Sequence, residues 1–151
     1  MYQLHHVGTL VGDIERAARA LVERFGYRPY TDVIADEVQT ARVQFFLLPG
    51  AHQWLELVTP HGSQSKLSNA LRKGTTLHHL CYEVAHLDGA VQCLRDRGLL
   101  LVGAPSPAPA FGGRRIAWFM DPAAPLVELV ETGVGPLNLS ELAPPGRASN
   151  P

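Results

Sequence analysis

The chain repeats itself: Leu4-His5-His6-Val7 returns as Leu77-His78-His79-Leu80, and the segments that follow keep step with each other. Ile14, Ala17 and Leu21 in the first copy match Leu87, Ala90 and Leu94 in the second, apolar residues whose spacing predicts one buried helix face in each. Asp13 and His86 stand at the equivalent helix starts, and Asp13 has the side chain of an N-cap. Gly26 and Gly98 stand where the helices end. Phe45-Phe46-Leu47-Leu48 corresponds to Ile116-Ala117-Trp118-Phe119, and Leu55-Glu56-Leu57-Val58 to Val127-Glu128-Leu129-Val130. Each half therefore predicts strand, helix, strand, strand, strand, the first over about 3–60 and the second over about 76–132. Between them, over about 61–75, lies a polar stretch and a linker helix that Gly74 closes.

A half of about 55 residues cannot bury a sheet face well by itself. Two such βαβββ modules pairing their sheets give an α+β fold, a cup-shaped mixed sheet with a cavity that equivalent residues of both modules enter. With 151 residues, 46% hydrophobic and 18% charged, the chain can build that core. A net charge of −1 offers no basic surplus to nucleic acid, and no apolar run approaches the roughly 20 residues that cross a bilayer. The first residues lack a basic segment followed by an apolar one, so a cytoplasmic location is expected. Cys81 and Cys93 fit neither a disulfide framework nor a Cys-x-x-Cys pair and read as small core residues. Ala104 to Gly113, rich in Pro, Ala and Gly, reads as a mobile loop, and 133–151 as a loosely ordered tail.

Four residues break the apolar logic of the strands. Glu56 lies in Trp54-Leu55-Glu56-Leu57-Val58, and Glu128 in Leu126-Val127-Glu128-Leu129-Val130. An unpaired carboxylate in such a run is costly, so each needs a cationic partner or a changed protonation state. No Lys or Arg stands at matching positions of the two halves, but histidines do: Glu56 follows His6 by 50 positions, and Glu128 follows His79 by 49. Two imidazoles and two carboxylates in register across a repeat form a donor set for a divalent metal ion. Strand alternation sends His5 and His6 to opposite faces, and His78 and His79 likewise, without choosing the ligand of either pair. Glu83 and Glu131 are read as solvent-facing, Arg114 and Arg115 as exposed, and Trp54, Trp118 and Phe119 as core.

Leu4-His5-His6-Val7-Gly8, the second run from Leu77 to Val84 and the closing Leu126 to Glu131 make the chain resemble the glyoxalase, or vicinal-oxygen-chelate (VOC), superfamily over about residues 3–132. Within it the chain is most similar to the methylmalonyl-CoA epimerase family. Gly74 and Leu77-His78-His79-Leu80-Cys81-Tyr82-Glu83-Val84 resemble that family's Gly-(Met/Leu)-His-His signature, with one residue added after the glycine. Pro109 to Phe119 resembles its Gly-rich loop and following strand. The resemblance implies a single domain over 1–132 and selects the second histidine of each pair, giving His6, Glu56, His79 and Glu128 as metal ligands. Glu56 falls where the family carries Gln or Glu. The resemblance also implies abstraction of a proton beside a carbonyl, with Glu128 as base, Glu56 serving the opposite face, and Co, Ni, Mn or Zn as the ion. The implied substrate is an acyl-CoA thioester or another carbonyl compound, and the implied assembly a homodimer.

The chain departs from one bacterial epimerase pattern: Val38 to Gln44 carries Gln39 and Gln44 but no carboxylate. Met120-Asp121-Pro122-Ala123-Ala124-Pro125 also lacks the usual glycine of the turn before the last strand. Two alternatives belong to the same superfamily. One is a glyoxalase I-like lyase, in which a Glu in the place of Glu56 also occurs. The other is a non-catalytic cup that sequesters a small molecule by aromatic stacking, as some resistance proteins do.

Overall fold

Periodicity and caps account for the helices. In α1 (Ile14–Phe25) the Asp13 side chain accepts from the Arg16 backbone N–H at 2.8 Å, and Gly26 ends the helix in the left-handed conformation at φ 73°. α2 (Ser68–Arg72) is a short helix in the linker, and α3 (Leu87–Asp96) follows His86, whose side chain makes no cap. The structure, a computed structural model, describes residues 1–142. No helix among them is long and apolar enough to cross a membrane.

The first half supplies β1 (Gln3–Leu10), β2 (Arg28–Pro29), β3 (Ile34–Asp36), β4 (Ala41–Leu47) and β5 (Trp54–Pro60). The second supplies β6 (Leu77–Val84), β7 (Leu100–Leu101), β8 (Ser106–Pro107), β9 (Arg115–Met120) and β10 (Leu126–Glu131). All belong to one mixed sheet in the order β2-β4-β5-β1-β6-β10-β9-β7, with β3 also on β4 and β8 also on β9. The first of the three strands expected after each helix is thus two short pieces on one long partner. In the second half the break holds Gly103, at φ 77°, and Pro105, which has no N–H to give a ladder.

The two modules meet within one chain, where β1 and β6 pair antiparallel; each then pairs in parallel with the last strand of its own half, β5 or β10. Strand alternation divides the core. α1 covers Phe46 and Leu57 with Ile14, Ala17 and Leu21, and α3 covers Ala117, Phe119 and Leu129 with Leu87, Ala90 and Leu94. The alternate residues, Phe45, Val58, Ile116 and Val130, form the third and largest cluster with Phe111. Glu56 and Glu128 share the side of Val58 and Val130, because residues two apart share a face.

Several expectations are corrected. Ala104–Gly113 is not a free loop: Ala108, Ala110 and Phe111 are buried in the largest cluster, because the short turn at 109–111 points its apolar side chains inward. The loose tail expected over 133–151 lies partly, at 143–151, outside the described residues. Over 133–142 the chain is packed, with Leu137 and Leu139 buried in the same cluster. Glu83 and Arg114 are buried rather than solvent-facing, their charges 3.6 Å apart. Arg115 and Glu131 pair at 3.0 Å nearer the surface. Trp54, Phe119 and Cys81 are core, whereas Trp118 and Cys93 are half-buried.

Candidate metal centre

The register of the sheet brings the four singled-out residues together. Gly8 pairs with His79 across the module junction, and His6 pairs with Cys81, so the two histidine strands overlap about their centres. β5 and β10 flank them and carry Glu56 and Glu128. His6 Nε2 stands 2.8 Å from His79 Nε2, 3.4 Å from Glu56 Oε2 and 3.2 Å from Glu128 Oε2. His79 Nε2 stands 3.1 Å from Glu56 Oε2 and 3.4 Å from Glu128 Oε2. All four side chains are buried, and Glu56 Oε2 has no hydrogen-bond partner among the described residues.

The arrangement fits a divalent ion. Two donors about 2.1 Å from one ion and at right angles stand about 3.0 Å apart, and at the tetrahedral angle about 3.4 Å. The His6–His79 spacing and the four histidine–carboxylate spacings lie within that range or just below it. Two carboxylates with two neutral imidazoles also balance a charge of two. Without an ion the carboxylates hold protons on the imidazoles instead. Burial pushes His79 down, but the facing carboxylates of Glu128 and Glu56 outweigh it and raise it to about 9; His6 is raised by the same two carboxylates. Burial pushes Glu56 up, yet the facing His6 and His79 hold it at about 2, and they hold Glu128 well below the usual carboxylate range.

The other histidine of each pair sits behind the first. His5 Nδ1 lies 2.8 Å from His6 Nδ1, and His78 Nδ1 lies 2.8 Å from His79 Nδ1. Simple alternation would have put each pair on opposite faces. The β1–β6 pairing explains the difference: it steps from Leu4–Tyr82 to His6–Cys81, and from Gly8–His79 to Thr9–Leu77. His5 and His78 are therefore the extra residues of two β-bulges, which re-aim a side chain locally. Burial and the adjacent His6 depress His5 to about 3; burial and His79 depress His78 to about 4.

The residue two places after each inner histidine lies under the inner histidine of the other half. A Cβ on Gly8 would stand 2.1 Å from the His79 ring, so that ring occupies the space a side chain would fill. Cys81 lies close enough to His5 and His6 to join them in one donor cluster, and burial pushes its thiol well up. The sequence signal for this contact is Gly8 itself, since a glycine inside a strand marks a close approach.

The site opens on a cavity of about 450 Å³. His78, His79, Glu56 and Glu128 lie on its wall with Val43, Phe111 and Trp118. Besides the two glutamates its one carboxylate among the described residues is Asp36, whose Oδ1 accepts from the Gln39 backbone N–H at 2.9 Å. Val38 and Gln39 fill the neighbouring wall, and Lys66 brings an amine whose Nζ donates to the Val38 carbonyl at 2.9 Å.

A sequence profile of the Glyoxalase/Bleomycin resistance protein/Dioxygenase superfamily matches residues 5–118. The ethylmalonyl-CoA/methylmalonyl-CoA epimerase of Cereibacter sphaeroides is 29% identical over 119 residues, 76% of this chain and 84% of that protein. The methylmalonyl-CoA epimerase from Mycobacterium tuberculosis superposes with a TM-score of 0.78 at 26% identity, over 87% of this chain and 89% of that one. The Streptomyces coelicolor methylmalonyl-CoA epimerase in complex with 2-nitronate-propionyl-CoA superposes with a TM-score of 0.75 at 22% identity, over 87% of this chain and 98% of that one, a likeness of fold.

Proposed function

The chain belongs to the Glyoxalase/Bleomycin resistance protein/Dioxygenase superfamily, and on that premise we propose that it is a divalent-metal-dependent epimerase of methylmalonyl-CoA type. The observation that carries the reading is the convergence of four buried donors, two from each module, of which Glu56, His79 and Glu128 lie on the wall of one cavity. His6, Glu56, His79 and Glu128 would hold Co, Ni, Mn or Zn. Such an ion supplies a Lewis acid that polarises the substrate carbonyl and offsets the charge that builds as the neighbouring proton leaves. Glu128 takes that proton, and Glu56 returns one on the opposite face. The segment Val38–Gln39 offers only an alkyl group and an amide there, and Asp36 is engaged with backbone. The two faces are assigned to the two glutamates by their equivalent places in the two modules. The apolar wall around Phe111 and Trp118 keeps water away from the reacting carbon.

The test is metal content, with His6→Ala and Glu128→Ala beside the unmodified chain, followed by deuterium exchange into methylmalonyl-CoA. About one divalent ion per chain, lost in both variants, together with exchange in the unmodified protein, is the expected result. A chain that takes up no Co, Ni, Mn or Zn overturns the metal reading and leaves a ligand-binding cup. The second carboxylate in the donor set favours one further reading, a glyoxalase I-like lyase. Bound metal with no exchange into the CoA ester, but turnover of a glutathione adduct, would select it.

A further inference from the structure

The Leu137 carbonyl oxygen lies inside the protein and receives two donors: His5 Nε2 at 2.8 Å and an Arg114 guanidinium nitrogen at 2.8 Å. Arg114 also donates to the carbonyls of Pro136 at 2.8 Å and Glu131 at 3.2 Å, and Asn138 closes the loop by donating to the Gly133 carbonyl at 2.7 Å. Leu137 takes the left-handed conformation, φ 57°, a costly one for a leucine, and it is fully buried. A buried arginine thus holds the 133–138 loop with its carbonyls turned inward.

The consequence reaches the metal centre by hydrogen-bond logic alone. A carbonyl only accepts, so the hydrogen of His5 is on Nε2. His5 is fully buried between Trp54 and Phe111, has no carboxylate partner among the described residues and shares its carbonyl with a guanidinium, so it is neutral. Its Nδ1 is then a bare acceptor, and the 2.8 Å contact with His6 Nδ1 requires the hydrogen to sit on His6. His6 Nε2, which faces Glu56, Glu128 and His79, is then the nitrogen that gives up its proton and offers a lone pair when an ion is bound.

We infer that the 133–138 loop belongs to the metal centre, and that His5 is the positioning residue through which the Leu137 carbonyl sets the tautomer and ring orientation of His6. The inference rests on the metal reading above. It assigns roles to His5, Arg114 and Leu137 that the four ligands alone do not imply.

The experiment uses the full chain. Long-range ¹H–¹⁵N correlation spectra of the Zn-loaded protein should report His5 as the Nε2–H tautomer and His6 as the Nδ1–H tautomer; the reverse assignment for either overturns the inference. His5→Phe keeps the aromatic packing but removes the acceptor. It should weaken Co²⁺ binding about 10- to 100-fold, the usual effect of losing an outer partner of a ligating histidine. His5→Gln, whose amide offers one acceptor and one donor, should recover most of that loss. Thermal melts of the metal-free variants identify any loss that comes from unfolding, and the spectra of the unmodified chain do not depend on them. Unchanged Co²⁺ affinity in a folded His5→Phe protein overturns the inference while leaving the metal reading intact. No Co²⁺ uptake by the unmodified chain overturns both.

Discussion

His5-His6 and His78-His79 are copies of one motif, and each places its inner ring at the same centre and its outer ring in a bulge behind it. Their surroundings then diverge. His5 is fully buried and anchored by Leu137, whereas His78 lies on the cavity wall and its Nε2 has no hydrogen-bond partner among the described residues. Beneath the rings the difference is reversed: His79 needs the bare backbone of Gly8, and His6 sits by the side chain of Cys81. The duplication thus keeps the donor geometry in both halves while one half is closed by core and the other is left open to a ligand. A symmetric donor set and an asymmetric approach are compatible, because the four donors lie at the inner rings and the divergence begins at the outer ones.

The largest effect should come from the carboxylates. Replacing Glu128 by Gln should slow proton exchange by about 10²- to 10⁴-fold at one face of the substrate carbon, and Glu56→Gln should do the same at the other. Deuterium incorporation from each epimer separately checks this, and loss at the same face in both variants would break the two-sided assignment. Next comes the packing under the rings. Gly8→Ala should cost about 1–3 kcal/mol in stability, since the His79 ring must move, and should also weaken metal binding. Cys81→Ala, which only removes atoms, should cost less; melting of both variants with and without Co²⁺ ranks them. If Gly8→Ala is neutral, the close approach is not a constraint. The open side should respond more gently. His78→Phe should raise KM by about 2- to 10-fold, the worth of one hydrogen bond, with metal stoichiometry unchanged. A loss of metal affinity equal to that of His5→Phe would erase the distinction between the pairs.

The last check is the pH dependence of the metal-free protein. His79 binds its proton more tightly folded, at about 9, than unfolded, near 6.5, so its stabilising contribution is full below 6.5 and is lost as pH rises through 9. His5 and His78 go the other way: held at about 3 and about 4, they favour the folded state above 6.5 and disfavour it as pH falls. Glu56, held at about 2, adds a further loss as pH falls from 4.5 toward 2. Melting temperature in chelator should therefore peak near pH 6.5, and bound Zn should remove the alkaline decline by taking the place of the inner protons. A profile that is flat from 6.5 to 9 without metal would mean that the inner histidines are already neutral.

Much of this arrangement was legible in the chain. The apolar spacing of Ile14, Ala17 and Leu21, the Asp13 cap and the Gly26 stop are local, and a helix forms from local terms once its face is covered. The pairing of Glu56 with Glu128 was legible for another reason: a carboxylate in an apolar strand must be explained, and the repeat supplied its counterpart. The burial of Arg114 and Glu83 was not legible, because the carbonyls of Glu131, Pro136 and Leu137 that receive the guanidinium come together only after the loop folds back. The order in 133–142 was hidden by the same cause, since Pro, Gly and Asn mark a turn without saying what lies beneath it.

By itself, the amino-acid sequence determined two strand–helix–strand modules and singled out Glu56 and Glu128 as carboxylates in apolar strands with a histidine pair in each half to answer them, because periodicity and the cost of burying charge act residue by residue. Only the tertiary structure decided that the modules join through β1 and β6 of one chain, and that bulges at His5 and His78 turn both rings of each pair toward each other. It also decided that Gly8 makes room for His79 and that Leu137 stands behind His5. Those outcomes depend on register between strands distant in sequence, and a one-residue shift in register reassigns every side chain to the other face.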